Sequence, residues 1–219
     1  MKASFWQQKW ERGEIGFHES DVNPFLKEHF AKLKLAKGSR IFLPLCGKTL
    51  DISWLLAGGY QIVGAELSEL AINELFAELG VAPRISNVGE LLRYSAKDID
   101  IWVGDIFAVS AEYLGTVNAI YDRAALVALP ASMRVQYTSH LLNISGAAPQ
   151  LLITYEYDQL LMDGPPFSVG KDEVEQHYRT TYQLEAVESR TVAGGMKGKV
   201  PATETVWLLR NANTQAKPN

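Results

Sequence analysis

One cysteine, Cys46, stands in 219 residues, so no intramolecular disulfide and no cysteine-built zinc site can be assembled. Clustered positive charge is missing too. The 21 lysines and arginines against 25 acids leave a net charge of −4, and no dense basic patch occurs along the chain. That balance excludes the broad electrostatic contact that nucleic acid or an anionic membrane surface demands. No run approaches the roughly 20 apolar residues of a membrane span, and the opening MKASFWQQKWERGE has no apolar core of signal-peptide length. The expected compartment is the cytoplasm. The histidines at 18, 29, 140 and 177 show no metal-ligand spacing, and no metal is expected. Repeats, low-complexity tracts and proline-rich linkers are also lacking. A single domain over residues 1–219 is therefore expected, long enough to cover a substantial α/β core, and a monomer is the default state for a fold that buries its own sheet.

What is present concentrates between Arg40 and Ser68. RIFLPLCGKTLDISWLLAGGYQIVGAELS reads strand, sharp turn, helix, strand, and its second strand ends at the acidic Glu66. This is the opening half of a mononucleotide-binding unit, whose first strand-to-helix turn lies at the ligand-binding carboxyl edge of the sheet. An acid at the tip of the second strand can accept hydrogen bonds from both ribose hydroxyls of an adenosine, and Gly47 and Glu66 are nineteen residues apart, near the expected spacing. Glycine is scarce in the turn. A phosphate-cradling loop needs glycine five positions before Gly47-Lys48-Thr49, where this chain has Phe42. A dinucleotide fingerprint needs three spaced glycines to admit a pyrophosphate, and Leu45-Cys46-Gly47-Lys48 offers one. The turn suits an adenosine ligand without a pyrophosphate, for which S-adenosylmethionine is the candidate.

Two helices are expected ahead of the first strand, as an N-terminal cover over residues 1–38. Residues 4–12 form a short amphipathic helix carrying Phe5, Trp6 and Trp10. Asn23-Pro24 opens a second, with Leu26, His29, Phe30 and Leu33 at helical spacing and Gly38 as its end. Helices over 50–57 and from Ser68 to Gly80 flank the strand Gln61–Leu67. Strands follow at 99–103 and 117–121, the stretch near 84–97 being polar and irregular. Met133, Tyr137 and Leu141 mark a helix by their four-residue spacing, and the apolar run 151–157 reads as a central strand. After the Gly164-Pro165-Pro166 loop come a short helix at 171–178 and two strands, 183–190 and 203–209, expected to pair as an antiparallel hairpin. Alternating β and α closed by a hairpin matches the class I S-adenosylmethionine-dependent methyltransferase fold: Rossmann-like, with a seven-stranded, mostly parallel sheet.

Chemistry-bearing residues collect after strand ends. Glu66 is the candidate adenosine acid, against a solvated charge at a strand tip. Leu45 and Cys46 lie in the glycine-poor turn, and Cys46 is either a packed thiol or a nucleophile. Asp105-Ile106-Phe107 follows one strand, where an acid either faces an adenine or sits exposed in a loop. Asp122-Arg123 follows another. Arg123 can hold a carboxylate or polarise an acceptor, and the alternative is that both residues pair with surface charges. Trp10 and Phe17 bracket a glycine-flanked strip that can close over a ligand and exclude water, or simply pack as an arm on the core.

These residues carry a resemblance. The chain is similar to thiopurine S-methyltransferases, above all bacterial ones, in W-x(3)-W at Trp6 and Trp10, Gly16-Phe17-His18, and FLPLCGK at Phe42–Lys48. The match continues through VGAELSELAI at Val63–Ile72, DIF at Asp105–Phe107, YDRAALVAL at Tyr121–Leu129 and GPPFSV at Gly164–Val169, covering most of the chain. PLCGK together with the Asp-Arg-x-Ala-Leu-Val-Ala run makes it specific. The resemblance implies that S-adenosylmethionine contacts Trp10, Leu45, Glu66, Ile106 and Arg123, that Phe17 helps cover the substrate, and that the acceptor is an aromatic or heterocyclic thiol. Some bacterial relatives are linked to selenium or tellurium compounds. Two departures stand out: Ala124 replaces the glycine of animal members, and the Gly194–Lys199 loop does not align with their substrate-side arginine, so Lys197 or Arg190 stands in for it.

The expected reaction is in-line displacement of the sulfonium methyl by an acceptor thiolate. Arg123 then stabilises the anion, and Asp122 orients Arg123 or accepts a proton through water. The alternatives are a methyltransferase for an oxygen or nitrogen acceptor, which needs a clearer general base, and a non-catalytic S-adenosylmethionine-binding module.

Overall fold

The computed structural model describes residues 3–212, which fall into two compact units, one up to Ala119 and one from Ile120 onward.

The first unit opens with two short helices. Helix α1 (Ala3–Glu11) carries Trp6 and Trp10, and α2 (Pro24–His29) starts where Asn23 accepts hydrogen bonds from the backbone N–H groups of Phe25 and Leu26. Asn23 in turn donates its own N–H to the Asp51 carboxylate (2.8 Å), which ties this start to the helix that follows the first strand. The helix expected to run to Gly38 ends sooner. At Phe30 it tightens into a 3-10 turn (Phe30–Leu33) that stops at a left-handed Lys34. The tighter turn sets the Phe30 ring edge-on to Tyr60 and Trp54, at 4.9 and 5.8 Å, so tertiary packing overrides the sequence signal.

Strand β1 (Arg40–Pro44), α3 (Asp51–Ala57), β2 (Gln61–Glu66) and α4 (Glu69–Leu79) then follow as the alternating pattern requires. Ser68 caps α4 through the Ala71 N–H, and left-handed Gly80 closes it. The polar stretch 84–97 is a correction. It forms β3 (Arg84–Val88) and β4 (Leu91–Ala96), an antiparallel pair turning over Gly89-Glu90 that adds two strands to the expected seven. Arg84, Ser86, Asn87, Arg93 and Ser95 blur its alternation because the pair lies at a sheet edge, where most of β3 is solvated. Strand β5 (Ile99–Val103) pairs antiparallel with β4 and parallel with β2, and β2 pairs parallel with β1, giving the order β3-β4-β5-β2-β1. The short helix α5 (Ala111–Leu114) follows, capped by Ser110.

In the second unit β6 (Ala119–Asp122), whose first residue closes the preceding unit, runs parallel to β7 (Gln150–Tyr157), with α6 (Ala131–Ser145) between them in sequence. Helix α7 (Lys171–Tyr178) precedes β8 (Tyr182–Thr191) and β9 (Ala202–Asn211), the antiparallel hairpin expected, and β9 also lies antiparallel to β7. The order is β6-β7-β9-β8, so β7 is internal, in keeping with its buried run Gln150–Thr154. No helix among the described residues is long and apolar enough to cross a membrane.

Candidate functional site

In the first unit the carboxyl ends of β1, β2 and β5 lie side by side, and Glu66 joins their loops. Its side chain is buried. Oε2 accepts the Gly47 N–H from the β1–α3 turn, and Oε1 accepts the Ser68 N–H at the start of α4, both at 2.8 Å. The Glu66 carbonyl accepts from Gly104 N–H (2.9 Å), which brings in the loop after β5. Burial pushes the Glu66 carboxyl up, and the N–H groups of Ser68, Gly47 and Leu67 pull it back. A carboxylate has about four lone-pair positions, and the two amides at 2.8 Å leave positions open for hydroxyl donors.

The turn that meets Glu66 is tightly wound. Leu45 and Gly47 both have positive φ, 48° and 52°, a conformation that costs a non-glycine residue about 1–2 kcal/mol. Cys46 between them donates its N–H to Ala65 (3.0 Å) and is buried. Burial and the neighbouring Glu66 charge push its thiol well above the usual range, which favours a packed thiol over a nucleophile. Trp10 lies directly on the turn: a Cβ on Gly47 would come within 3.1 Å of its ring. Phe17 stands edge-on to Trp10 at 5.5 Å and to Trp6 at 5.8 Å, so the strip after α1 forms an aromatic wall beside the turn. Lys48 points elsewhere, to Glu74 and Glu78 of α4 at 3.0 and 2.7 Å, and this is not the arrangement of a phosphate-binding lysine. After β5, Ile106 is buried in a 3-10 turn, while Asp105 is exposed with Oδ1 accepting the Phe107 N–H (3.0 Å). Trp10, Phe17, Leu45, Glu66 and Ile106 thus all fall within this unit.

Asp122 and Arg123 sit at the carboxyl end of β6 in the second unit. Asp122 is completely buried, its oxygens accepting the Leu126 N–H (3.0 Å) and the Tyr137 hydroxyl (2.7 Å). Burial pushes its carboxyl up to about 6, against the pull of those donors. Arg123 is half-buried, and Ala124 beside it has a φ of 58°, left-handed where animal relatives are expected to carry glycine. The segment after β6 is held further along: the Phe167 N–H donates to Val127 (2.6 Å), and Arg134 reaches the Leu129 carbonyl (2.8 Å). Arg134 also forks onto both oxygens of Glu173 and lies over the Phe167 ring. Of the two cations expected on the substrate side, Lys197 is exposed at a φ of 50°, and Arg190, on β8, bonds Glu188 (2.6 Å).

Tyr137 was legible only as a helix position. Its signal was a phenol in an apolar stripe, since a buried tyrosine hydroxyl needs a polar partner. The Ser68 amide, the second donor on Glu66, left no trace in the sequence because backbone groups carry no residue identity.

The chain resembles S-adenosylmethionine-dependent enzymes in fold. A 1,6-didemethyltoxoflavin-N1-methyltransferase from Burkholderia thailandensis superposes over 95% of this chain and 87% of its own, with a TM-score of 0.64 at 13% identity. Magnesium protoporphyrin IX methyltransferase from Synechocystis superposes over 95% and 97%, also at 0.64, with 10% identity. Those likenesses establish the class I methyltransferase fold. In sequence, the thiopurine S-methyltransferases of Teredinibacter turnerae and Xanthobacter autotrophicus are 55% and 50% identical, covering 98% and 97% of this chain and all of their own length. A family model described as thiopurine S-methyltransferase matches residues 1–211. The chain belongs to the thiopurine S-methyltransferase family.

Proposed function

We propose that the chain transfers the methyl group of S-adenosylmethionine to the sulfur of an aromatic or heterocyclic thiol such as a thiopurine. The observation that carries this reading is the buried Glu66, wired to both flanking turns and left with lone pairs open for hydroxyl donors. The fit to the cofactor follows from that chemistry. The amides of the glycine-poor turn serve the protein's own acid, and an adenosine without a pyrophosphate asks no more of them. Glu66 would hold the ribose, Leu45 and Trp10 would line the turn side, and Ile106 would supply an apolar contact after β5.

When bound, the cofactor offers a methyl on a sulfonium: the acceptor's sulfur forms a bond to that carbon while the carbon–sulfur bond to S-adenosylhomocysteine breaks. A thiolate and a sulfonium become a neutral thioether and a neutral product, so charge disappears during transfer and a dry, aligned site favours it. Phe17 and Trp10 would exclude water. Arg123 would attract the anionic thiolate and hold it. Asp122 is completely buried with each oxygen already accepting a hydrogen bond, and that enclosure suits orientation of the Arg123 turn and disfavours proton abstraction from an alcohol or amine. That asymmetry favours a sulfur acceptor that ionises unaided, and softer selenium or tellurium acceptors are reachable by the same displacement.

The test is methyl transfer from labelled S-adenosylmethionine to a panel of thiol, selenium and tellurium acceptors, with oxygen and nitrogen analogues alongside. Transfer to thiols but not to their oxygen analogues is expected. Cofactor binding in calorimetry without transfer to any acceptor leaves only the non-catalytic module. With Arg123→Ala, kcat/KM for the thiol falls by about tenfold or more; an unchanged value removes Arg123 from the site.

A further inference from the structure

The segment after β6 is fastened at two ends by different devices. Its far end is held by Arg134 on the Leu129 carbonyl and by the Phe167 N–H on Val127. At its near end, the turn that carries Arg123, the Asp122 carboxylate accepts the Leu126 N–H (3.0 Å). Ala124 is left-handed within that turn, a conformation an alanine keeps only where its surroundings hold it. The Asp122 carboxylate is fixed in rotation by the Tyr137 hydroxyl, 2.7 Å away, from α6. Phenylalanine would fill the same apolar position in α6, so the hydroxyl is present for that bond.

We infer that Tyr137 is a positioning residue for the methyl transfer: through Asp122 it holds the turn from Arg123 to Leu126 in the conformation that presents Arg123 to the acceptor. The inference rests on the role given to Arg123 above. Titratable groups face Asp122 from two elements, Tyr137 on α6 and Tyr178 on α7. Burial raises the Asp122 carboxyl to about 6, and the Tyr137 hydroxyl holds it down by bonding the charged form. Removal of that hydroxyl raises it further, so the ionised acid that organises the turn is lost at a higher pH. The Tyr178 hydroxyl is buried as well but makes no hydrogen bond among the described residues, which makes Tyr178→Phe a control for deleting a phenol from the same layer.

The experiment compares full-length wild type, Tyr137→Phe, Arg123→Ala, the double variant and Tyr178→Phe. It measures kcat and KM for one thiol acceptor from about pH 5 to about pH 9, with melting curves to confirm folding. Tyr137→Phe is expected to lower kcat/KM about tenfold at neutral pH, the size of one charge-assisted hydrogen bond, and to move the acidic limb upward. In the Arg123→Ala background it should lower kcat/KM by no more than about twofold, because the two residues act as one unit. Tyr178→Phe keeps wild-type kcat/KM and limb. Independent, multiplying losses, or an acidic limb that stays in place, overturn the inference. If Arg123→Ala is crippled while Tyr137→Phe is not, only the inference fails. A silent Arg123→Ala in an enzyme that still binds cofactor and transfers methyl removes the Arg123 role and the inference with it.

Discussion

Replacing Glu66 with glutamine tests the cofactor site most directly, because shape is kept while charge and one acceptor oxygen are lost. In the folded protein the two Glu66 oxygens accept from Gly47 and Ser68, each at 2.8 Å. Glutamine can serve one of these amides and must turn its NH₂ toward the other, leaving a buried donor unsatisfied at about 1–3 kcal/mol. Against this, no charge is buried any longer, and burial is the largest influence on Glu66. The two effects oppose, so the net loss is about 2 kcal/mol at most, or a melting shift of about 4–8 °C for a chain of this size. Binding suffers more. Two ribose hydroxyls exchange bonds to an anion, about 1.5–3 kcal/mol each, for bonds to a neutral amide, about 0.5–1.5. The difference sums to about 2–3 kcal/mol, or about thirty- to 150-fold in Kd. Calorimetric titration with S-adenosylhomocysteine measures it, on protein whose melting curve shows it folded. A folded Glu66→Gln protein that binds within about twofold of wild type refutes the ribose role.

Two further changes read other parts of the fold. Gly47→Ala places a Cβ at positive φ and within 3.1 Å of the Trp10 ring; a loss of about 1–2 kcal/mol in denaturant unfolding is expected from the backbone alone, together with weaker cofactor binding as Trp10 shifts. An unchanged midpoint and unchanged Kd would show that the turn is not as tight as drawn. For Asp122→Asn the informative quantity is pH dependence. The native carboxyl is raised from 3.8 to about 6, so its contribution to stability is fully present below about pH 4 and lost as pH rises through about 6. At about 1.36 kcal/mol per pH unit, this comes to about 3 kcal/mol. Wild type should therefore lose about that much stability relative to Asp122→Asn across this window, and parallel stability curves would contradict the buried, raised carboxyl.

The alternation of strands and helices was legible because each carries its own local signal: apolar runs for β1, β2 and β7, a capping serine before α4, and Asn23-Pro24 before α2. The β3–β4 pair was not, since an edge pair with a solvated face needs little apolar periodicity. The early end of α2 escaped as well, because Phe30 leaves the helical path to pack on Tyr60 and Trp54.

Sequence by itself determined the order of the elements, the glycine-poor turn, the acid nineteen residues beyond its glycine and the family motifs, all of which are local in the chain. Tertiary structure decided what those residues do to one another. It showed the Glu66 oxygens already bound to two backbone amides, Trp10 lying on Gly47, Lys48 turned away to α4, and Asp122 sealed against a tyrosine fifteen residues downstream. The reason is physical. A strand end or a helix start follows from the preferences of a few neighbouring residues, whereas burial, hydrogen-bond saturation and a shifted carboxyl depend on groups that only folding brings together.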